Sequence, residues 1–135
     1  MTAERDIDVL LRDMKPDLRP GIFVFCTIAA RQSIPAGLSP LLTFREQEGT
    51  TLIVLREEAE AAGLRYAFPS RLITLAVHSA LDAVGFLAAI TTHLADVGIS
   101  VNAVSAFHHD HLFVPSDKVE DAMAALQDIS EASQD

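Results

Sequence analysis

The chain has 135 residues, half of them hydrophobic, enough to build a core in one ordinary domain or two very small ones. Ten Lys and Arg stand against nineteen Asp and Glu, and a net charge of −9 with no basic run repels phosphate backbones and anionic lipid, so nucleic acid is not an expected partner. No stretch approaches the ~20 apolar residues of a membrane span, and the charged amino terminus lacks a signal-peptide core, so a cytoplasmic protein without membrane attachment is expected.

Residues 4–14 read as a short helix, with Ile7, Leu10, Leu11 and Met14 on one stripe and Pro16 ending it. Residues 21–28 form a strand around Val24, Phe23 and Phe25. Cys26, the only cysteine, lies inside that apolar run and reads as a small buried hydrophobe. Residues 29–40, with two prolines, a glycine and two serines, read as a loop. A hairpin across Glu48-Gly49-Thr50 joins residues 41–47 to 51–55; a short helix over 57–62 stops at Gly63; residues 64–68 make a brief last strand.

The second half opens with a strand over 71–78, in which Ile73, Leu75 and Val77 make the better core face and Leu72, Thr74, Ala76 and His78 share the other. Leu81, Val84, Leu87, Ile90, Leu94 and Val97 predict a helix over 81–97, stopped by Gly98. A second hairpin joins 99–107 to 111–114 across His108-His109-Asp110. A closing helix carries Val119, Ala122, Met123, Leu126 and Ile129, with Asp117 and Glu120 as a capping box. Strand, helix, strand, strand, helix is a ferredoxin-like split βαβ whose last strand must come from elsewhere, the first half or another chain. Antiparallel sheets with helices on one face leave the other face for a partner.

The halves repeat one another. Leu52-Ile53-Val54 and residues 56–62 align with Leu112-Phe113-Val114 and residues 116–122 at an offset of sixty, whereas residues 20–28 align with 70–78 at an offset of fifty. A duplicated unit whose first copy lacks about ten residues, roughly three helical turns, accounts for both offsets. Copies this small are marginal alone, which favours a shared core or a dimer. The expected organisation is a truncated copy with an amino-terminal helix over 1–68, a full copy over 69–130 and a disordered tail over 131–135.

With that order in place, Asp82-Ala83-Val84-Gly85 and Gly98-Ile99-Ser100-Val101 resemble the turns of the ACT domain, a small-molecule-sensing regulatory module. Phe44-Arg45-Glu46-Gln47-Glu48-Gly49, Phe68-Pro69, Ile73-Thr74-Leu75-Ala76-Val77-His78-Ser79 and His109-Asp110-His111-Leu112-Phe113-Val114-Pro115 are similar to short stand-alone bacterial tandem ACT proteins, over residues 15–128. The resemblance, which extends to aspartokinase regulatory domains, implies an α+β, ferredoxin-like tandem duplication. It also implies an amino acid held between adjacent modules by the first turn of the first helix and the edge of the second strand. Val84 stands where a proline is common and Ser100 where an asparagine is common, which leaves the identity of the ligand open.

The candidate site is the turn carrying His78, Ser79, Asp82, Val84, Gly85 and Phe86, with Ser100 and Asn102 on the neighbouring strand. A helix start offers free N–H groups to a ligand carboxylate, Asp82 a partner for an amino group, and Gly85 close approach to the backbone. The alternative is structural: Ser79 or Asp82 as an N-cap, Gly85 relieving crowding, and Ser100 and Asn102 on a solvated strand face. In His108-His109-Asp110-His111, strand alternation sends His109 and His111 to one side and His108 and Asp110 to the other. That set is too few for zinc without His78 or His93, and Asp110 is expected to make the turn. No nucleophile motif, phosphate loop or paired carboxylates appear, and the Glu46-Glu48 and Glu57-Glu58 clusters read as solvated surface. The expectation is a non-catalytic amino-acid sensor without cofactor or metal, forming a homo-oligomer, with one site per chain and the shortened copy as its wall. The alternatives are an interaction module that oligomerises through its open sheet without a ligand, and a metal-dependent enzyme using the histidine run.

Overall fold

The computed structural model describes residues 3–134 and divides into two units, one of residues 21–70 and one built from the described residues on either side of that stretch. In chain order the elements are α1 (Ile7–Asp13), β1 (Pro16–Leu18), β2 (Phe23–Ile28), β3 (Leu42–Arg45), β4 (Thr50–Leu55), α2 (Arg56–Ala61), β5 (Ala67–Leu75), α3 (Phe86–Asp96), β6 (Asn102–Ser105), β7 (Asp110–Pro115) and α4 (Val119–Ala132).

In the unit Gly21–Ser70 the strands run β3-β4-β2 followed by the start of β5, all antiparallel. The β3–β4 turn needs its glycine, because a Cβ on Gly49 would stand 2.5 Å from the Ile28 carbonyl oxygen. Val24, Cys26, Ile28, Leu52 and Val54 meet Ala59 of α2 in an apolar cluster. Burial raises the Cys26 thiol above its ordinary pKa. Residues 29–41 join β2 to β3 without a helix, so the first copy lacks its first helix, as the shifted offset implies.

The other unit keeps that helix. Its strands run β1-β5-β7-β6, and β1 is the strand the second copy lacks locally. It pairs antiparallel with the end of β5, Pro16 opposite Leu75 and Leu18 opposite Ile73, so the fourth strand comes from the chain's own amino-terminal segment. Leu10 of α1 and Met14 at its C-cap, Ile73 and Leu75 of β5, Phe86, Ile90 and Leu94 of α3, Leu112 and Val114 of β7 and Leu126 of α4 close into one buried cluster. Ser130 Oγ donates to the Arg12 and Met14 carbonyls at 3.1 and 3.2 Å, which ties α4 to the exposed carbonyl end of α1.

Several expectations need correction. The amino-terminal helix belongs with the second copy, because Leu10 and Met14 complete that copy's cluster. The strands expected at 64–68 and 71–78 are one strand, β5. Three steps from Ala67 to Ser70 oppose two from Phe25 to Phe23, and this bulge accommodates Pro69, which has no N–H to give. α3 starts at Phe86, not Leu81, because Gly85 at φ +95° is left-handed and breaks the helical path; Leu81 and Val84 are therefore exposed, and the buried stripe is Phe86, Ile90 and Leu94. Asp117 and Glu120 do not form a capping box, since α4 is entered through a 3-10 turn, Ser116–Lys118, and its N-cap Lys118 makes no side-chain capping bond. Asp110 is not in the hairpin turn: that turn is closed by Ala106 N–H donating to His109 O at 2.9 Å, and Asp110 opens β7. α4 runs through Ala132, into the segment expected as a tail.

Candidate functional site

β5 ends at Leu75, and residues 76–85 cross to α3 as an irregular loop. The amino-terminal segment straps it down: Glu4 N–H donates to His78 O at 2.9 Å, and Ala80 N–H donates to Glu4 O at 2.8 Å. Asp82 leaves the loop outward and pairs with Arg5 at 2.9 Å, with both side chains mostly in solvent, where such a pair contributes little.

Beneath the loop lies a cleft of about 60 Å³. One wall is polar. Asp110 is 7% exposed, accepting hydrogen bonds from Ser79 Oγ at 3.1 Å and from Ser105 Oγ at 2.5 Å. Ser105 and Asp110 face one another as the last residue pair of the β6–β7 hairpin, which sets that geometry. Among the described residues no ion pair includes Asp110. Its carboxylate is thus largely withdrawn from solvent, with neutral hydroxyls as its side-chain donors among the described residues, an arrangement that favours an incoming cation. Phe86 and Leu87 at the start of α3 line the same cleft. Gly85 has no side chain to cap this helix, and the first intrahelical bond is Ala89 N–H to Gly85 O at 2.9 Å, so helix geometry leaves the N–H groups of Phe86, Leu87 and Ala88 without intrahelical carbonyls. Ala80, Leu81, Ala83 and Ala106 complete the lining.

Of the sequence-predicted residues, Ser79 and Phe86 line this cleft, and Gly85 sets the helix start beside it. His78 flanks it, its ring 5.6 Å from that of His108. Val84 is 87% exposed; Ser100 and Asn102 are exposed and do not line the cleft, nor does Asp82. Sequence reasoning missed Ser105 and gave Asp110 the wrong place. The available signal was the repeat itself: at an offset of sixty Asp110 matches Thr50, the first residue of β4, which places it in the strand.

The histidine run spreads around the hairpin end. His109 and His111 lie 6.3 Å apart between ring centres, and His111 Nδ1 is 3.0 Å from Thr74 Oγ1. Burial, then the neighbouring His109, lowers the His111 pKa below its ordinary value. Among the described residues no three His, Cys, Asp or Glu side chains are arranged to hold a metal ion.

Two models described as ACT domain match the chain in tandem, over residues 2–71 and 67–128. The chain belongs to the ACT-domain family. This tandem ACT protein is similar to a Vibrio cholerae structure of unknown function, described as a possible transport protein, at 44% identity and TM-score 0.83 over 92% of this chain and 95% of that one. An Agrobacterium tumefaciens structure aligns at 22% identity and TM-score 0.72, covering 87% and 89%. The ligand-free regulatory subunit of Thermus thermophilus aspartate kinase has the same fold, at 11% identity and TM-score 0.62, covering 85% and 97%. A search of curated proteins finds no match. ACT domains are regulatory, non-catalytic modules, so the chain has a regulatory, ligand-sensing role in general terms. Among the described residues no helix is long and apolar enough to cross a membrane.

Proposed function

We propose that this ACT protein senses an α-amino acid bound in the cleft between the loop of residues 76–85, α3 and the β6–β7 hairpin. The ligand's ammonium group meets the Asp110 carboxylate, held by Ser79 and Ser105, and its carboxylate meets the free N–H groups of Phe86 and Leu87 at the start of α3. The observation that carries this reading is the buried Asp110, without a cationic partner among the described residues, lining the same small cleft as an uncapped helix start. The lining thus joins a carboxylate to the positive end of a helix, the two polarities a zwitterion requires.

Leu81 and Val84 of the loop and Phe107 of the hairpin turn are strongly exposed and belong to the segments that border the cleft. In the proposed assembly a module from a second copy of the chain covers these apolar side chains, so the ligand is held at a module interface of a homodimer in the cytoplasm. No cofactor takes part. The test is a thermal-shift panel of the standard amino acids on metal-free protein, with light scattering on the same samples. Ligand a hundredfold above its dissociation constant stabilises the fold by about 2.7 kcal/mol. A flat panel counts against the reading, and an oligomer that forms regardless of every amino acid favours an interaction module instead.

A further inference from the structure

We propose that His78 and the histidines at the end of the β6–β7 hairpin form a proton-sensitive latch, which holds the loop of residues 76–85 against the hairpin when neutral and loosens it when charged. The proposal concerns access to the cleft beneath the loop and holds for any occupant. Four of the chain's five histidines form a series of neighbours: the His78 ring is 5.6 Å from that of His108, His108 is 6.4 Å from His109, and His109 is 6.3 Å from His111. The first of these contacts joins loop to hairpin, and the Phe107 ring packs edge-on against His108 at 5.0 Å. The same loop carries Ser79, whose hydroxyl bonds to Asp110, and is pinned by the backbone of Glu4. No helix or strand holds residues 76–85, so this segment yields before the sheet does.

Imidazoles charge near neutral pH, and the surrounding groups decide what that charge does. Asp110, within the histidine run, offsets about one positive charge. The other nearby carboxylates are engaged elsewhere: Glu4 accepts from the N–H groups of Arg5 and Asp6 at 2.9 and 3.2 Å, and Asp82 pairs with Arg5. Arg19, which acts on His111 and pairs with Asp17, adds positive potential. A first proton is thus accommodated, and later ones meet like charge. Two unit charges 5.6 Å apart in water repel enough to shift an opening equilibrium about threefold, and more where the rings are half-buried. His111 charges last, because burial and then His109 lower its pKa.

The test is amide hydrogen exchange of the full chain, followed by NMR at pH 7.5 and pH 5.5 and corrected for the pH dependence of chemical exchange. Protection at Ser79, Ala83 and Ala106 is expected to fall at least about threefold at the lower pH, while Ile73 in β5 and Ile90 in α3 keep theirs. An equal fall at all of these amides, or none at the first three, overturns the proposal. Two variants locate the latch. His108 is exposed and His78 half-buried, so neither His108→Gln nor His78→Gln empties the core. Each is expected to remove most of the local fall, and where one variant loses its native spectrum the other decides; a full fall in a folded variant overturns the assignment. In 0.5 M sodium chloride the wild-type fall is expected to shrink, because salt screens exposed charges. A fall that salt leaves unchanged rules out repulsion as its cause and overturns the latch.

Discussion

Replacing Asp110 with Asn removes the charge of the cleft while keeping the shape of the side chain. In the unliganded protein the amide oxygen still accepts from one serine, while the amide nitrogen turns toward the other, whose hydroxyl then accepts. The substitution also relieves the cost of keeping a carboxylate nine-tenths buried without a counter-charge, so stability of the free protein is expected to change by no more than about 1 kcal/mol. Ligand binding loses a charge-assisted bond to an ammonium group, and hydrogen bonds to charged groups contribute about 1.5–3 kcal/mol. At 1.4 kcal/mol per tenfold, affinity falls roughly 10- to 150-fold. The assay pairs urea unfolding of wild type and Asp110→Asn without ligand with isothermal titration of both against whichever amino acid gives the largest thermal shift. A variant that unfolds like wild type and binds equally well refutes the role given to Asp110. One that has lost several kcal/mol of stability assigns the carboxylate to the architecture of the β6–β7 hairpin instead.

The remaining predictions concern fold and titration. Gly85→Ala forces an L side chain into φ +95° and places its Cβ 3.2 Å from Ile7 Cδ1, so it should cost about 1–2 kcal/mol in urea unfolding, and a neutral result removes the left-handed residue as the reason α3 starts where it does. Ile90→Ala empties a fully buried position in the larger core and should cost about 2–5 kcal/mol by the same measurement, against the small effect expected for Asp82→Ala at the exposed Arg5 pair. His111 has its pKa lowered by burial and by His109 and Arg19, against an opposing effect of Asp110, so the unfolded chain binds more protons; its contribution to stability is full above about pH 6.5 and is lost as pH falls through the lower folded value. His111→Gln should flatten that part of the stability profile, and an identical slope in the variant shows that other groups set it. Cys26 should resist thiol reagents in the native protein and react on unfolding; rapid native labelling contradicts its burial.

Element order was legible because the strongest signals are periodic and local. Ile90 and Leu94 repeat at helical spacing, Ile73 and Leu75 alternate, and Leu52-Ile53-Val54 reappears as Leu112-Phe113-Val114 with all six residues buried. The misreadings fall where a single backbone conformation overrides the pattern. Leu81 and Val84 keep the phase of the helical stripe, but Gly85 turns left-handed and puts them in a loop. Pro69 looks like a boundary between strands, yet a bulge carries β5 through it. Part of the candidate site followed from the helix start. Its polar wall was hidden because Ser79, Ser105 and Asp110 are brought together by non-local contacts, 26 residues separating the first two and a hairpin the last two.

The two copies diverge at the features the proposed site uses. β4 and β7 correspond at both ends, so Thr50 occupies in the first copy the place Asp110 holds in the second. Thr50 has no charge to offer an ammonium group, and the loop of residues 29–41 supplies no helix start to meet a carboxylate. The amino-terminal segment adds a further asymmetry: β1 extends the second copy's sheet, and Glu4 fixes the loop that carries Ser79. A carboxylate, a helix start and a strap are three separate departures of the first copy from the features the proposed site uses. On the proposed reading a tandem ACT chain of this kind therefore carries one amino-acid site, and the shortened copy is free to serve assembly.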